Sequence, residues 1–387
     1  MLEESRVMEM KKMTPRERVI AASRHEPVDR IPLMLWIEPH TALKISQHVI
    51  KPKSVANRLL FDGLAALQSA MPTEELRNVV PMLSYLGSAD YFIQLGTDIV
   101  EFQWFSPLSF VKDFRIEDKK LVITDVYGIE RSMMGLYLEM TKHPCDTIED
   151  LDRYRFPRMP NRQLHNSIRA FKRAHPGIAV AVDIPGIQDV SMWFMGMEKL
   201  YLWMAMHPDN MKRFQQRFLA HTLDLIRGLC KAGADIITIL DDYGAQNRML
   251  ISKKMWEEFT FPCLKRQCEE THKGDGIVML HSCGHVQPLL EGIADAGVDM
   301  LQSFQPRAGN DLAKAKEEFG NRLCFVTGID SQSLGGMTPD EVRAAVRESV
   351  RIGGEGGGFV LATNHALQVD TPAENLKALF ETLDEVR

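Results

Sequence analysis

Short apolar runs and amphipathic stretches alternate along the second half of the chain, and the period of each predicts its element. Residues 235–240 (DIITIL) form a continuous apolar run of strand length that ends in the acidic pair Asp241-Asp242. Residues 253–272 space their apolar positions along one helix face and follow Ser252, a residue type suited to capping a helix start. The alternation continues with a strand at 277–281, a helix at 286–296, a strand at 298–302, a helix at 312–319 and a strand at 323–327. Thr338-Pro339-Asp340-Glu341 places Thr at the cap, Pro in the first turn and acids beside the positive end of the dipole, which predicts a helix running to Arg351. The glycine cluster 353–358 leads to a strand at 359–362, and Thr371-Pro372-Ala373-Glu374 repeats the helix-start pattern before a last helix. In the first half, residues 31–36, 98–103 and 179–183 read as three more strands.

Strand–helix alternation at this spacing implies a parallel sheet with right-handed crossovers. About eight strands favour an α/β fold of the closed kind, a (β/α)8 TIM barrel, over an open sheet. Two stretches fall outside the pattern. Residues 1–28 read as an N-terminal helical extension, with its helix around 15–24. Residues 108–135 read as a β-hairpin insertion over the barrel mouth, turning at Ile116-Glu117-Asp118-Lys119-Lys120-Leu121. No linker or low-complexity segment interrupts the pattern, so residues 1–387 read as a single domain.

Composition excludes several classes of function. Of 387 residues, 45% are hydrophobic and 25% charged, an ordinary globular balance. A net charge of −6 with no basic block argues against nucleic acid as a partner. The charged start, MLEESRVMEMKKMTPRER, has no apolar core of a secretory signal, and no apolar run is long enough to span a bilayer, so no membrane association is expected. The six cysteines are scattered, which suits a reducing, cytoplasmic setting better than a disulfide framework.

Candidate chemistry gathers where strands end. Glu38, Glu101 with Gln103, Asp183, Asp241 with Asp242, His281 with Cys283, Gln302 with Gln305, Asp330, and Asn364 with His365 all fall there. Barrel enzymes build their sites from those ends, although each residue alone serves as readily as a cap or loop anchor. His281-Ser282-Cys283-Gly284 is the sharpest signal. It follows the apolar run Ile277-Val278-Met279-Leu280, and residues two apart on a strand point to the same side. Imidazole nitrogen and thiolate sulfur are preferred zinc ligands; a buried Cys beside a hydrogen-bonded His would look the same in sequence. Asp241 or Asp242 would complete the set, orient a ligand imidazole, or cap a helix. Trp36, Trp104, Phe105, Trp193 and Phe194 fall at or just beyond the first three strands, where they form either an aromatic wall or core packing. Tyr243 and His285 add polar groups nearby, His285 as a helix-start residue. Cys145, Cys230, Cys263, Cys268 and Cys324 lack partner spacing and read as structural.

Several segments, in order and spread over nearly the whole chain, resemble the uroporphyrinogen decarboxylase superfamily, which includes cobalamin-linked methyltransferases. They are Met13-Thr14-Pro15-Arg16-Glu17-Arg18, Arg24-His25-Glu26-Pro27-Val28-Asp29-Arg30-Ile31-Pro32, Leu95-Gly96-Thr97-Asp98, Asp241-Asp242-Tyr243-Gly244, His281-Ser282-Cys283-Gly284, Gly328-Ile329-Asp330, and His365 before Thr371-Pro372-Ala373-Glu374-Asn375. In that superfamily, decarboxylases carry an Arg-Gln-Ala-Gly-Arg segment after the first strand, whose guanidinium groups hold the tetrapyrrole carboxylates. Here the stretch is Leu35-Trp36-Ile37-Glu38-Pro39-His40, without arginine, which makes a polyanionic porphyrinogen a poor ligand. The methyltransferase branch carries His-x-Cys and a further Cys before the last helix, all three binding zinc. His281 and Cys283 match, and His365 occupies the third position. Decarboxylases also have a His in that column, serving substrate, so both roles for His365 stay open.

The resemblance implies an enzyme that moves a methyl group between a small methylated substrate and the cobalt of a corrinoid. Zinc would act as Lewis acid. The implied cofactors are zinc and cobalamin; the chain lacks the Asp-x-His-x-x-Gly signature of corrinoid carriers, so the corrinoid would come on a separate corrinoid-binding protein. A homodimer is compatible with this reading. The expected site is zinc on His281, Cys283 and His365; catalytic groups Asp241, Asp242 and Asp330; and substrate contacts from Trp36, Glu38, Asp98, Trp104, Trp193, Tyr243 and Gln305. The aromatics favour a methoxylated aromatic and hence O-demethylation. The alternatives are a decarboxylase-type carboxy-lyase and a methylcobalamin:thiol methyltransferase of the coenzyme M type.

Overall fold

All eight expected strands form, and they lie in one parallel sheet. The computed structural model describes residues 12–72, 77–78, 80–81, 87–103, 110–117, 120–134, 137–158 and 161–387. The barrel begins with β1 (Leu33–Met34) and β2 (Ile99–Phe102). An insertion follows, with β3 (Val111–Glu117), β4 (Lys120–Asp125), β5 (Glu130–Met134) and β6 (Tyr137–Lys142). The barrel resumes with β7 (Ala179–Pro185), β8 (Ile236–Leu240), β9 (Ile277–His281), β10 (Met300–Gln302), β11 (Cys324–Ile329) and β12 (Phe359–Thr363). The order around the sheet is β1-β12-β11-β10-β9-β8-β7-β2, with helices between successive strands on the outside, a TIM barrel.

The seam between β2 and β1 is closed by one residue, through its backbone and its side chain, rather than by a ladder. The Asp98 N–H donates to Leu33 O at 2.7 Å, and Asp98 Oδ2 accepts the Leu33 N–H at 2.8 Å. Asp98 is fully buried and paired with Arg18 Nη1 at 2.5 Å and Arg387 Nη2 at 2.6 Å. This corrects the expectation that Asp98 contacts substrate. The residue precedes its strand instead of following it, so it lies at the floor of the barrel, and its charge is spent on two arginines.

Residues two apart on each strand point inward, and the lower interior is apolar. Met34, Ile99, Ala179, Ala181, Ile236, Met279, Met300, Cys324, Val326, Val360 and Ala362 form one buried cluster. Val19 and Ala22 of the helix Pro15–Ser23 join it from below. That helix starts with a full capping box between Thr14 and Glu17. It is tied down by the Arg16 N–H to Gly177 O at 2.8 Å and by Arg16 Nε to Asp235 Oδ1 at 2.8 Å, just ahead of β7 and β8. The described part of the expected N-terminal extension, residues 12–28, is therefore a plug under the barrel.

The insertion is larger than the expected hairpin at 108–135. Four antiparallel strands run from Val111 to Lys142. β3 and β4 lie on either side of the expected turn; the second hairpin was not expected, because between β5 and β6 the sequence offers only the single glycine of Gly135-Leu136. Buried Asp125 organises the β4–β5 turn by accepting the N–H groups of Tyr127 and Ile129 and pairing with Arg131. Tyr127 then packs edge-on against Phe194, which places Phe194 in the core between insertion and barrel helices instead of a pocket wall. Two helix starts also differ from expectation. A π-turn at Trp256–Thr260 interrupts residues 253–272 ahead of Pro262, which has no N–H to donate. Thr338 forms the expected capping box, whereas the Thr371 hydroxyl has no partner. None of the six cysteines is in a disulfide, and among the described residues no helix is long and apolar enough to cross a membrane.

Candidate active site at the barrel mouth

Continuing each inward-facing row past the apolar layers reaches a polar tier. Trp36 lies two beyond Met34, Glu101 and Gln103 beyond Ile99, Asp183 beyond Ala181, Thr238 beyond Ile236, His281 beyond Met279 and Gln302 beyond Met300. Side-chain contacts between these residues show that they converge. The ring of Trp36 stands edge-on to His281 at 5.3 Å between centroids. Gln103 Nε2 donates to Asp183 Oδ2 at 2.9 Å. Gln302 lies directly opposite His281 in the sheet, and its Oε1 accepts from His281 Nδ1 at 2.5 Å.

That last hydrogen bond sets the chemistry of His281. With Nδ1–H donated to an amide oxygen, Nε2 is the nitrogen left to face Cys283 and Asp242, and its lone pair becomes free for a metal once it gives up its proton. Nε2 lies 3.4 Å from Cys283 Sγ and 3.9 Å from Asp242 Oδ1. Asp242 Oδ1 also accepts the Cys283 N–H at 2.7 Å, so the carboxylate is held in place by the next loop. These three ligand atoms lie within 4.8 Å of one another. An imidazole nitrogen, a sulfur and a carboxylate oxygen are a zinc donor set, and three protein ligands leave a fourth position open. The electrostatics point the same way. Burial works against protonating His281, but Cys283, then Asp242 and Gln302, outweigh it and raise the imidazole pKa to about 10. A cluster that holds a proton so tightly is one whose field favours a cation.

Two glycines bring Asp242 to Cys283. A Cβ on Gly244 would lie 2.3 Å from the backbone nitrogen of His285, and a Cβ on Gly284 would lie 2.3 Å from the carbonyl carbon of Gly244. Gly284 also sits at φ +78°. The loops after β8 and β9 thus pack backbone against backbone, closed by the His285 N–H to Ala245 O at 2.8 Å. Ser303 adds a hydroxyl 3.3 Å from Cys283 Sγ from a backbone at φ +79°, a strained position for a residue with a Cβ.

The remaining expected site residues are placed as follows. His365 is outside the three-donor cluster. Its ring stacks on Trp36 at 4.8 Å and 27°, its centroid is 6.4 Å from that of His281, and burial and His281 lower its pKa. Asp242, in the loop after the strand next to β9, comes within reach of His281 and Cys283 because adjacent loops meet, while β12 lies three strands away. Asp241 points outward: its Oδ1 accepts the Asp189 N–H at 2.8 Å at the start of the helix Ile187–Met195, against Gly186, and burial raises its pKa to about 7. Asp330 holds its own turn through Ser333 Oγ at 2.5 Å and the Gln332 N–H at 3.2 Å. Glu38 caps the helix Pro39–His48 through the Thr41 N–H at 3.1 Å and pairs with His40 Nδ1 at 2.6 Å. Tyr243 is fully buried, edge-on to Trp256. Gln305 Oε1 accepts the Gly284 N–H at 2.7 Å and braces the turn from behind. Trp193 lies under Arg131 of the insertion, 5.9 Å from its ring. Each of these side chains, expected as a catalytic group (Asp241, Asp330) or a substrate contact (Glu38, Tyr243, Gln305, Trp193), makes a local hydrogen bond or core contact. Trp104 and Phe105 lie outside the described residues.

Four residues carry signals to which the sequence pattern assigned no role. Glu101 and Asp183 were noted as strand-end residues without a role, yet they face each other. Burial and the neighbouring Asp183 push the Glu101 carboxyl well above its ordinary range, and burial raises Asp183 to about 6. Thr238 would have been found by extending the two-residue period of β8. Asp189, raised by burial and by Asp242 and Asp241, sits on a helix and has no such signal.

Comparison with known proteins adds to this geometry. A family model described as "Uroporphyrinogen decarboxylase (URO-D)" matches residues 121–386. A uroporphyrinogen decarboxylase of Coxiella burnetii is 22% identical over 279 residues, 68% of this chain and 74% of that protein. The methylcobamide:CoM methyltransferase MtaA of Methanosarcina barkeri is 30% identical over 157 residues, 41% of this chain and 43% of that protein. Among solved structures, a methyltransferase from Methanosarcina mazei superposes with a TM-score of 0.67 at 21% identity, covering 97% of this chain and 99% of that one, which shows the shared fold.

Proposed function

This chain belongs to the uroporphyrinogen decarboxylase family, and on that premise we propose that it is a zinc-dependent methyltransferase acting between a small methylated substrate and a corrinoid carried by a separate protein. The observation that carries the reading is the Asp242, His281 and Cys283 donor set inside the barrel mouth. The likeness to MtaA supports it. Zinc bound there would act as Lewis acid, stabilising charge on the substrate atom that gives up or takes the methyl group.

The chain's own residues do the positioning. Gln302 Oε1 fixes the His281 tautomer and ring, and the Cys283 N–H fixes Asp242. Trp36 presents an aromatic surface beside His281, suited to a methoxylated aromatic ring and therefore to O-demethylation. A carboxy-lyase acting on a tetrapyrrole would need cationic clamps for several carboxylates. Residues 35–40 and the polar tier contain no Arg or Lys.

The test combines metal analysis with methyl transfer. Purified protein is expected to hold about one zinc per chain, reduced in Cys283→Ala and His281→Ala. With cobalamin reduced to the Co(I) state, methylcobalamin should form from some member of a panel of methoxylated aromatics, methanol and methylamines. Absence of bound zinc, or zinc retained in both variants, would overturn the metal assignment. Coproporphyrin binding without methyl transfer would favour the carboxy-lyase instead.

A further inference from the structure

We propose that an open groove on the flank of the barrel, lined by Arg155, Lys212, Arg213 and Arg217, docks an acidic segment of a partner protein. Under the methyl-transfer reading that partner is the protein that brings the corrinoid. Its identity rests on that reading; the preference of the groove for an acidic chain does not.

Two distant parts of the chain build the groove. One is residues 152–155, at and just past the end of the helix Ile148–Arg153. The other is the first part of the helix Pro208–Ala232, where Lys212 with Gln216 and Arg213 with Arg217 are each four residues apart and so share a face. The groove has a volume of about 650 Å³ and opens to solvent. Arg217 holds the two parts together. Its Nη1 donates to Asp152 O at 3.0 Å and Tyr154 O at 2.9 Å, and its Nη2 donates to Leu151 O at 2.6 Å. These are carbonyls that the end of a helix leaves without partners, so the guanidinium fixes one wall against the other.

Charge is out of balance there. Four cations line the groove against a single carboxylate, Asp152. That carboxylate already accepts from Asn210 Nδ2 at 2.7 Å and lies 3.5 Å from Arg213 Nη2. Lys212 Nζ has Glu258 at 2.7 Å. Arg155 and Arg217 form no ion pair among the described residues; both donate to backbone carbonyls instead. Burial, and then the nearby Arg155, lower the Arg217 pKa, as crowded cations do. Arg153 and Arg158 stand on either side of Arg155 in sequence, and both are exposed. A chain of net charge −6 that gathers cations in one groove has a local field that favours an anion.

Position and shape select the kind of anion. The helix Pro208–Ala232 ends just before Asp235, which is tied to the plug helix at the floor, so its first turns lie at the mouth end of the barrel. Lys212 and Arg217 fall roughly 6–14 Å from its start, at a rise of about 1.5 Å per residue. A protein that presents a corrinoid to the mouth sits at this same end. The lining has no aromatic on which a base could stack, and the chain as a whole is acidic, so a nucleic acid fits worse. An extended acidic peptide can follow an open groove and meet its guanidinium groups with paired carboxylate oxygens.

The experiment reads binding of a labelled polyglutamate peptide to the whole chain by fluorescence anisotropy. Wild type is expected to bind at low salt and to lose about 10-fold in affinity as salt rises from about 20 to about 200 mM. Arg155→Glu combined with Arg213→Glu should weaken binding by about 10-fold or more, because like charges then face the peptide. Arg155→Ala combined with Arg213→Ala adds no repulsion and should lose roughly 3-fold or more. Lys51→Glu combined with Lys53→Glu makes the same change in net charge at two exposed positions elsewhere and should stay within about 2-fold of wild type. No binding at low salt would end the proposal, and equal losses in the groove and control variants would reduce it to an effect of net charge. Tighter binding of a single-stranded oligothymidine than of the peptide would assign the groove to nucleic acid, and displacement of the peptide by an equal concentration of pyrophosphate would make it a small-anion site; either result overturns the reading. Both groove variants should pass methyl groups to free Co(I) cobalamin at the wild-type rate, since no protein docks in that assay; a loss there would place the groove in the substrate site instead. Wild type that binds the peptide but transfers methyl from no donor would sink the methyl-transfer reading, and with it the corrinoid carrier as the partner, while the acidic-peptide groove stands.

Discussion

Replacing Gln302 by Leu removes one acceptor from beneath the metal donors and changes little else. In the native protein His281 Nδ1 and Gln302 Oε1 are 2.5 Å apart, and both side chains are buried. Gln302 Nε2 has no partner among the described residues, so its loss costs nothing, and the substitution isolates the Oε1 contact. Leucine fills similar volume but leaves the Nδ1–H buried without an acceptor, a penalty of about 1–3 kcal/mol. The ring can escape that penalty by moving its proton to Nε2, which abolishes the lone pair that faces Cys283 and Asp242. Loss of such a supporting hydrogen bond weakens metal binding by about 10–100-fold, or about 1.4–2.8 kcal/mol. Zinc affinity is read by competition with a chromophoric chelator. The Co(II)-substituted protein reports geometry through its visible absorption. Gln302→Glu, which restores an acceptor, should bind at least as tightly as wild type. A Gln302→Leu protein that is folded and binds zinc with unchanged Kd would refute the assignment of His281 as a ligand oriented through Nδ1.

Other outcomes follow from the same structure. Asp98→Ala leaves Arg387 buried without an ion-pair partner and strips buried Arg18 of one of its two carboxylates, so denaturant unfolding should show a loss of about 3–5 kcal/mol, while zinc content and substrate KM stay unchanged because Asp98 is at the floor. Gly284→Ala places a Cβ against the Gly244 backbone at φ +78°, so the two loops must part and zinc affinity should fall by about 10-fold or more; Gly336→Ala, whose Cβ would meet nothing within 4 Å, is the control. The hydrogen bond from Arg18 holds Asp29 down from an ordinary 3.8 to about 2. Its stabilising effect is therefore present above 3.8 and lost as pH falls through about 2, and Asp29→Asn should flatten the acid limb of a stability profile across that window.

Much of the fold was legible because strand and helix periods are local. The runs at 235–240 and 277–281 declared β8 and β9 almost to the residue, and the capping box at Thr338 declared the helix that follows. The insertion was half legible: a polar turn revealed β3 and β4, whereas the lone Gly135 between apolar neighbours did not reveal β5 and β6. For the candidate site, the two-residue spacing of His281 and Cys283 was readable as a shared face, and the continued period pointed to Glu101 and Asp183. The third donor was not readable, because strand-end acids look alike in sequence. Asp241 and Asp242 are neighbours, yet one caps a helix behind β7 and the other meets Cys283.

By itself the chain's pattern determined which residues become strands, which rows face inward, and that an imidazole and a thiol leave β9 together. Only the closed barrel decided that Asp242 comes within reach of them while His365 stacks on Trp36, that Asp98 seals a seam at the floor, and that Glu101 faces Asp183. The physical reason is range. Side-chain alternation depends on neighbours along one strand, whereas the meeting of separate loops depends on strand order, register, and two glycines that let backbones approach to van der Waals contact.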